Sequence, residues 1–117
     1  FGKILKEAVK AIEELKKENI SAELIDLRTI RPLDIDTILK SVKKTNRLVI
    51  LEESWPFGNI STEITYQVQN SAFDYLDAPV EKINTADTPA PYSPVLLNEW
   101  LPNYKDVIKA VNKVMYR

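Results

Sequence analysis

The stretches KKENISAELID (residues 16–26) and KKTNRLVILEE (residues 43–53) share one layout: paired lysines, an asparagine, then an apolar run closed by acid. Cations complement the negative end of a helix, and asparagine tolerates the left-handed residue that stops one. The apolar run that follows suits a strand. Two successive helix–turn–strand units predict parallel strands joined by right-handed crossovers, hence a three-layer αβα domain with a mostly parallel sheet. Upstream of the first unit, Leu5, Ala8, Val9, Ile12 and Leu15 recur at helical spacing, with Lys6, Glu7, Lys10, Glu13 and Glu14 opposite. This predicts a helix that ends near Lys16, Lys17 and Asn19 and leads to a strand over 22–27. Asp34 is placed to cap a second helix, 35–44, whose Ile35, Ile38, Leu39 and Val42 share a face. The run 48–53 lacks alternation, as expected of a strand covered on both sides.

Beyond Pro56, Ile60, Ile64 and Val68 predict a third helix over 60–70, followed by an aromatic turn, FDYLDAP, and a short strand around Val80 to Asn84. Five of the seven prolines fall between 79 and 102, and TADTPAPYSP (85–94) reads as an extended connector across the surface. Val107, Ile108, Val111, Val114 and Met115 mark a closing helix, with Asp106 in its first turn.

Composition limits the chemistry. The 117 residues, 44% hydrophobic and 28% charged, suit one domain that buries roughly two thirds of its unfolded surface. A formal charge of −1 with scattered basic residues gives no electrostatic case for nucleic acid, and no apolar run is long enough to predict a membrane helix. The absence of histidine and cysteine removes thiolate nucleophiles, imidazole acid–base catalysis, disulfides and the usual zinc sites. With Gly2 and Gly58 the only glycines, no dinucleotide fingerprint or P-loop can be written. Catalysis is left to carboxylates, lysines, tyrosines and serines. Phe1-Gly2 resembles the end of a strand, so the expected sheet lacks its first strand or strands.

The segment DLRTIRPLD (26–34) concentrates charge where the first predicted strand ends. Arg28 lies at the carboxyl end of that strand, and Glu52 and Glu53 at the carboxyl end of the next. That edge of an open α/β sheet often binds ligands. The preferred alternative is a structural ion pair of Arg28 with Glu52 and Glu53, while Arg31 and Asp34 help to start the second helix. Asp26, Asp34 and Asp36 are read as capping and pairing groups, not metal ligands. Trp55 and Trp100, beside Pro56 and Pro102, are read as core or interface fillers. Tyr66 and Tyr92 carry no local signal for chemistry.

AELIDLRTIRPLDIDTILKSVKKTNRLVILEESWPFG, FDYLDAP and TADTPAPYSP together closely resemble the C-terminal domains of pyruvate dehydrogenase beta subunits, within the transketolase C-terminal domain family. The resemblance covers nearly the whole chain, 1–117, and implies a fragment of a longer beta subunit. It departs from the family pattern at Ser54, Asn59 and Ser61, where glycines usually follow the acidic pair. It implies thiamine diphosphate and magnesium in a heterotetramer but no cofactor, metal or catalytic residue in this chain, which is expected to be inactive alone. The implied partners are a pyruvate dehydrogenase alpha subunit, a second beta subunit and a dihydrolipoyl acetyltransferase. The implied compartment is the bacterial cytoplasm or the mitochondrial matrix. For the acyltransferase, the resemblance points to Asp77 and the tail Met115, Tyr116 and Arg117. The same residues fit a branched-chain 2-oxoacid or acetoin dehydrogenase, and an independent small α/β binding module is the reading from a different class.

Overall fold

The computed structural model describes residues 4–117; Gly2 and the strand end expected at Phe1-Gly2 lie outside the described residues. The first helix, α1, runs Leu5–Lys16 and buries Ala8, Ala11 and Leu15. Asn19 takes the left-handed conformation (φ 62°), and the Ile20 N–H closes onto the Leu15 carbonyl at 3.0 Å. That bond spans five residues, as in a Schellman stop. The second helix, α2 (Ile35–Thr45), also stops at a left-handed asparagine, Asn46 (φ 67°), whose N–H bonds to the Val42 carbonyl at 2.7 Å. The sequence signal shared by the two units is therefore a real pair of stops.

Asp34 caps α2 as its position predicts. Its carboxylate accepts from the Thr37 backbone N–H (3.2 Å) and from Thr37 Oγ1 (2.6 Å). These bonds hold the Asp34 carboxyl below the usual carboxylate range. On the same helix, the hydrogen bond and charge of Lys44 lower the Glu23 carboxyl, and Glu23 in turn raises the Lys44 ammonium. A carboxyl depressed by folding stabilises the fold above its unfolded titration and loses that contribution as pH falls through its folded value. A raised lysine contributes below its unfolded value and loses the contribution as pH climbs through its folded one. Stability is therefore expected to decline on the acid side of about pH 4. Asp34→Ala should lower the midpoint of thermal unfolding measurably and flatten the acid limb, whereas Asp34→Asn, a comparable cap, should keep most of the midpoint. Matching melting curves for Asp34→Ala and the parent across pH 3–7 would exclude this role.

Strand β1 (Val49–Leu51) pairs in parallel with β2 (Glu81–Ile83), with Ile50 opposite Lys82. Between them runs α3 (Ile60–Ala72), which ends in a short 3-10 turn at Phe73–Tyr75. The chain then continues through β2 to α4 (Pro94–Trp100) and α5 (Tyr104–Val114). The layers follow from the pleat of β1. Ile50 joins Ile38, Val42, Ile64, Val68 and Ala72, the facing stripes of α2 and α3. Val49 and Leu51 point the other way, onto Ala11, Ile83, Val107 and Ala110 between α1 and α5. The three-layer αβα arrangement is thus present, with a parallel sheet of two strands among the described residues. Fully burying a side chain such as Val68 or Val42 contributes about 1.5–3 kcal/mol.

Two expectations need correction. Residues 22–27 are not a strand: the segment makes no backbone hydrogen bond among the described residues. Its apolar content correctly signals packing, since Ile25 and Leu27 lie against the α2–α3 core. A strand, however, is defined by a ladder partner, and none flanks it among the described residues. The connector is extended only as far as Ser93, after which α4 begins with Pro94 in its first turn. That helix has no buried residue, so it lacks the one-sided apolar stripe that periodicity detects. The closing helix starts three residues before its apolar stripe. Asn103 accepts from the Lys105 and Asp106 N–H groups, and the Asp106 carboxylate returns a bond from the Asn103 N–H at 2.9 Å.

Candidate functional site

The carboxyl ends of the two strands meet at Glu52. Its side chain is 1% exposed, and Oε1 accepts from Ser61 Oγ (2.5 Å), Asn84 Nδ2 (2.7 Å) and, weakly, the Ser61 N–H (3.4 Å). Glu52 follows β1, Asn84 follows β2, and Ser61 opens α3, so one carboxyl group joins both strands to a helix start. Among the described residues Glu52 Oε2 and Ser54 Oγ are buried without a partner.

The expected pairing of Arg28 with Glu52 and Glu53 is not made. Arg28 has an 89% exposed side chain and approaches Asp26 instead, at 3.5 Å. Glu53 is exposed, and Glu52 is enclosed by neutral donors. The physical reason is the missing ladder at 22–27: without it, Arg28 is not brought to the edge where Glu52 sits. Asp34 is used in the α2 cap, and no group of acidic residues that could hold a metal ion is found among the described residues.

Ser54, Asn59 and Ser61 take no left-handed backbone; Gly58 does, at φ 68°. Asn59 Nδ2 instead donates to the carbonyls of Trp55 (2.6 Å) and Phe57 (3.1 Å), while Ser61 serves Glu52. Of these three residues, Asn59 ties the WPFG turn and Ser61 the carboxyl end of β1 by side-chain bonds. Trp55 is not a core filler. Its indole N–H and that of Trp100 both donate to the Thr88 carbonyl, each at 2.8 Å, and pin the proline-rich connector between them. Around this pin Phe57 (87% exposed), Tyr92 (fully exposed), Val95 and Leu96 present apolar side chains to solvent. Tyr66 is likewise exposed.

A second cluster lies at the opposite end of the strands. The Asp77 N–H donates to the Asn46 carbonyl (2.8 Å), and the Asp77 carbonyl accepts from Tyr116 Oη (3.0 Å). Asn46 Nδ2 holds the Tyr75 carbonyl at 2.8 Å. Arg47 Nε donates to the Val114 carbonyl at 2.9 Å, and its Nη1 stands 3.9 Å from Asp77 Oδ2. The tail is closed by Tyr116, at φ 59°, and by an Arg117 N–H bond to the Asn112 carbonyl. Asp77 and Tyr116, singled out from sequence, are therefore in contact, while Met115 continues the end of α5. The Asp77 main chain is clamped on both sides. Its carboxylate is 57% exposed and accepts no hydrogen bond among the described residues, so it does not form the Asx turn that its sequence context allows. Sequence reasoning marked Asn46 only as a helix stop and missed Arg47; both touch this aspartate from the turn after α2.

Comparison with known proteins identifies the family and the fold. The family model "Transketolase, C-terminal domain" matches residues 1–107. A Rickettsia bellii protein named pyruvate dehydrogenase E1 component subunit beta is 54% identical over 99% of this chain and 36% of its own length. The Rhizobium meliloti protein of the same name is 48% identical over the whole chain and 25% of its length. The mitochondrial Dictyostelium discoideum relative is 46% identical over the whole chain and 33% of its length. The chain thus spans about a third or less of these relatives. A solved split-gene transketolase, described as an inactive beta4 tetramer, superposes with a TM-score of 0.84 at 24% identity, covering 99% of this chain and 36% of that one. That likeness establishes the fold.

Proposed function

The chain belongs to the transketolase C-terminal domain family, and from that premise we propose that it is the assembly and partner-docking domain of a pyruvate dehydrogenase beta subunit. The observation that carries the reading is the 54% identity over 99% of the chain to a protein of that name. The relatives named above favour pyruvate over a branched-chain 2-oxoacid or acetoin as the substrate of the whole enzyme. In that enzyme, which would work in the bacterial cytoplasm or the mitochondrial matrix, thiamine diphosphate and magnesium would be held by domains outside this chain. The domain's own contribution would be two surfaces. The apolar side chains around the Trp55–Thr88–Trp100 pin would face the alpha subunit or the second beta subunit. The Asp77 cluster would receive the dihydrolipoyl acetyltransferase.

Exposed aromatics on a well-tied segment have the character of interface anchors: large apolar area, few rotatable bonds and a position fixed before binding. Replacing Phe57 and Tyr92 by serine in the complete beta subunit is expected to weaken heterotetramer formation on the order of 10- to 100-fold, the effect of losing one or two anchor residues. Native mass spectrometry of the subunits across a dilution series reads this directly. An unchanged tetramer population at every dilution, with both side chains absent, would remove this surface from the assembly.

A further inference from the structure

Three of the long helices turn a charged face to water. Six of the 12 residues of α1, four of the 11 of α2 and four of the 11 of α5 are Lys, Glu or Asp. That is the ordinary make-up of a solvated helix face. α3 departs from it: Glu63 is the one charged residue among its 13. The inner stripe of α3 is used, with Ser61, Ile64, Val68 and Ala72 buried. The outer face carries Tyr66, 64% exposed, and at its carboxyl end Phe73, 65% exposed, with Gln69 and Asn70 between them. These four side chains line one shallow groove. Seven residues place the two aromatic side chains about 10 Å apart along the axis, with the amides as the floor between them. Of the α3 amides, Gln67 alone is used internally among the described residues, on Glu63 at 2.9 Å.

The charge around this groove has one sign. From Ile60 to Glu81 the chain carries Glu63, Asp74, Asp77 and Glu81 and no lysine or arginine. Glu81 is paired with Lys113 and Asp77 stands near Arg47, whereas Asp74, next to Phe73, enters no ion pair among the described residues. Lys43 of α2 already lies over the neighbouring Tyr75 ring, 5.4 Å from its centre. Exposed rings, free amide oxygens and an unpaired carboxylate together suit arginine, whose planar guanidinium stacks on aromatic faces and offers five N–H donors. We propose that the outer face of α3 is a second arginine-binding contact for the partner that docks at Asp77. An arginine on that partner's basic surface enters the groove, stacks against Tyr66 and Phe73 and bonds to Gln69 or Asn70, while Asp74 supplies the opposing charge. The inference rests on the docking role proposed for Asp77 and widens it from one carboxylate to a surface in two parts. The four-residue step from Phe73 to Asp77 spans at most about 14 Å, so one small domain reaches both. A second copy of this chain is a poor occupant, since a two-fold contact would set acid against acid.

The probe is the basic docking domain of the acyltransferase, titrated by calorimetry into the intact heterotetramer. The beta subunit carries either Tyr66→Ser with Phe73→Ser, or Asp77→Asn. Because both aromatic side chains are exposed, the double substitution should leave the melting curve in place. The expected result is binding at least tenfold weaker in the double variant, together with loss of hydroxyl-radical labelling at Tyr66 and Phe73 when the domain binds the parent. Unchanged affinity in the double variant would overturn the proposal; if Asp77→Asn still weakens binding, docking at Asp77 survives that failure. Weaker binding in the double variant with Asp77→Asn silent would uphold the α3 contact and remove Asp77 from the site. Side chains already shielded from labelling in the free heterotetramer would make this face a contact between its subunits, and would overturn the proposal as well.

Discussion

Glu52→Ala is expected to destabilise the domain by about 3–5 kcal/mol, a large part of the roughly 6–15 kcal/mol available to a domain of this length. The loss has two sources. Removing the carboxyl leaves Ser61 Oγ and Asn84 Nδ2 buried or half-buried without their acceptor, and each orphaned polar group costs about 1–3 kcal/mol. A cavity also opens where a 1% exposed side chain was packed. Glu52→Gln keeps an acceptor of the same shape and should lose only about 1 kcal/mol, the difference between a charge-assisted and a neutral hydrogen bond. Chemical denaturation followed by circular dichroism measures both. Equal loss in the two variants would show that the charge of the carboxylate, not its shape or its place as an acceptor, is what Glu52 supplies.

Asp77→Asn is expected to weaken docking of a basic acyltransferase domain by about 2–5 kcal/mol, with a dependence on salt that the substitution abolishes. The Asp77 backbone is immobilised by Asn46 and Tyr116, so little ordering remains to oppose binding. Its carboxylate is mostly in water and meets Arg47 only at 3.9 Å, which leaves it able to accept a charge-assisted bond from an incoming arginine. Because an exposed pair of this kind contributes at most about 1 kcal/mol to folding, stability should hardly change. Calorimetric titration at two salt concentrations separates the cases: lost stability with unaltered affinity would make Asp77 a structural residue.

Local grammar carried much of the fold. The two lysine–asparagine stops, the Asp34 cap, the stripes of the four larger helices and the unalternated run of β1 are all short-range features, and their structural counterparts lie where the sequence puts them. What depended on partners was not legible. Residues 22–27 have strand composition but no ladder, and the pairing assumed for Arg28 failed with it. The helix at Pro94–Trp100 buries nothing, so no stripe announced it. In the candidate sites, the family resemblance singled out Asp77 and Tyr116, but Arg47 reaches them from a distant turn, and Glu52 was assigned the wrong neighbours. Asn59 and Ser61 near Gly58, where the resemblance led one to expect glycine, hold the chain by side-chain hydrogen bonds instead of by backbone freedom.

In the proposed reading this domain assembles and docks, and the chemistry belongs to domains outside this chain. Two rates measured on one Asp77→Asn heterotetramer test it: pyruvate decarboxylation with an artificial electron acceptor, which needs no acyltransferase, and acetyl-CoA formation in the reconstituted complex, which does. The expected result is an unchanged first rate and a second rate that falls at least tenfold at subsaturating acyltransferase. A parallel fall in both rates, with the tetramer intact, would contradict a docking role for Asp77 and implicate the domain in the chemistry itself.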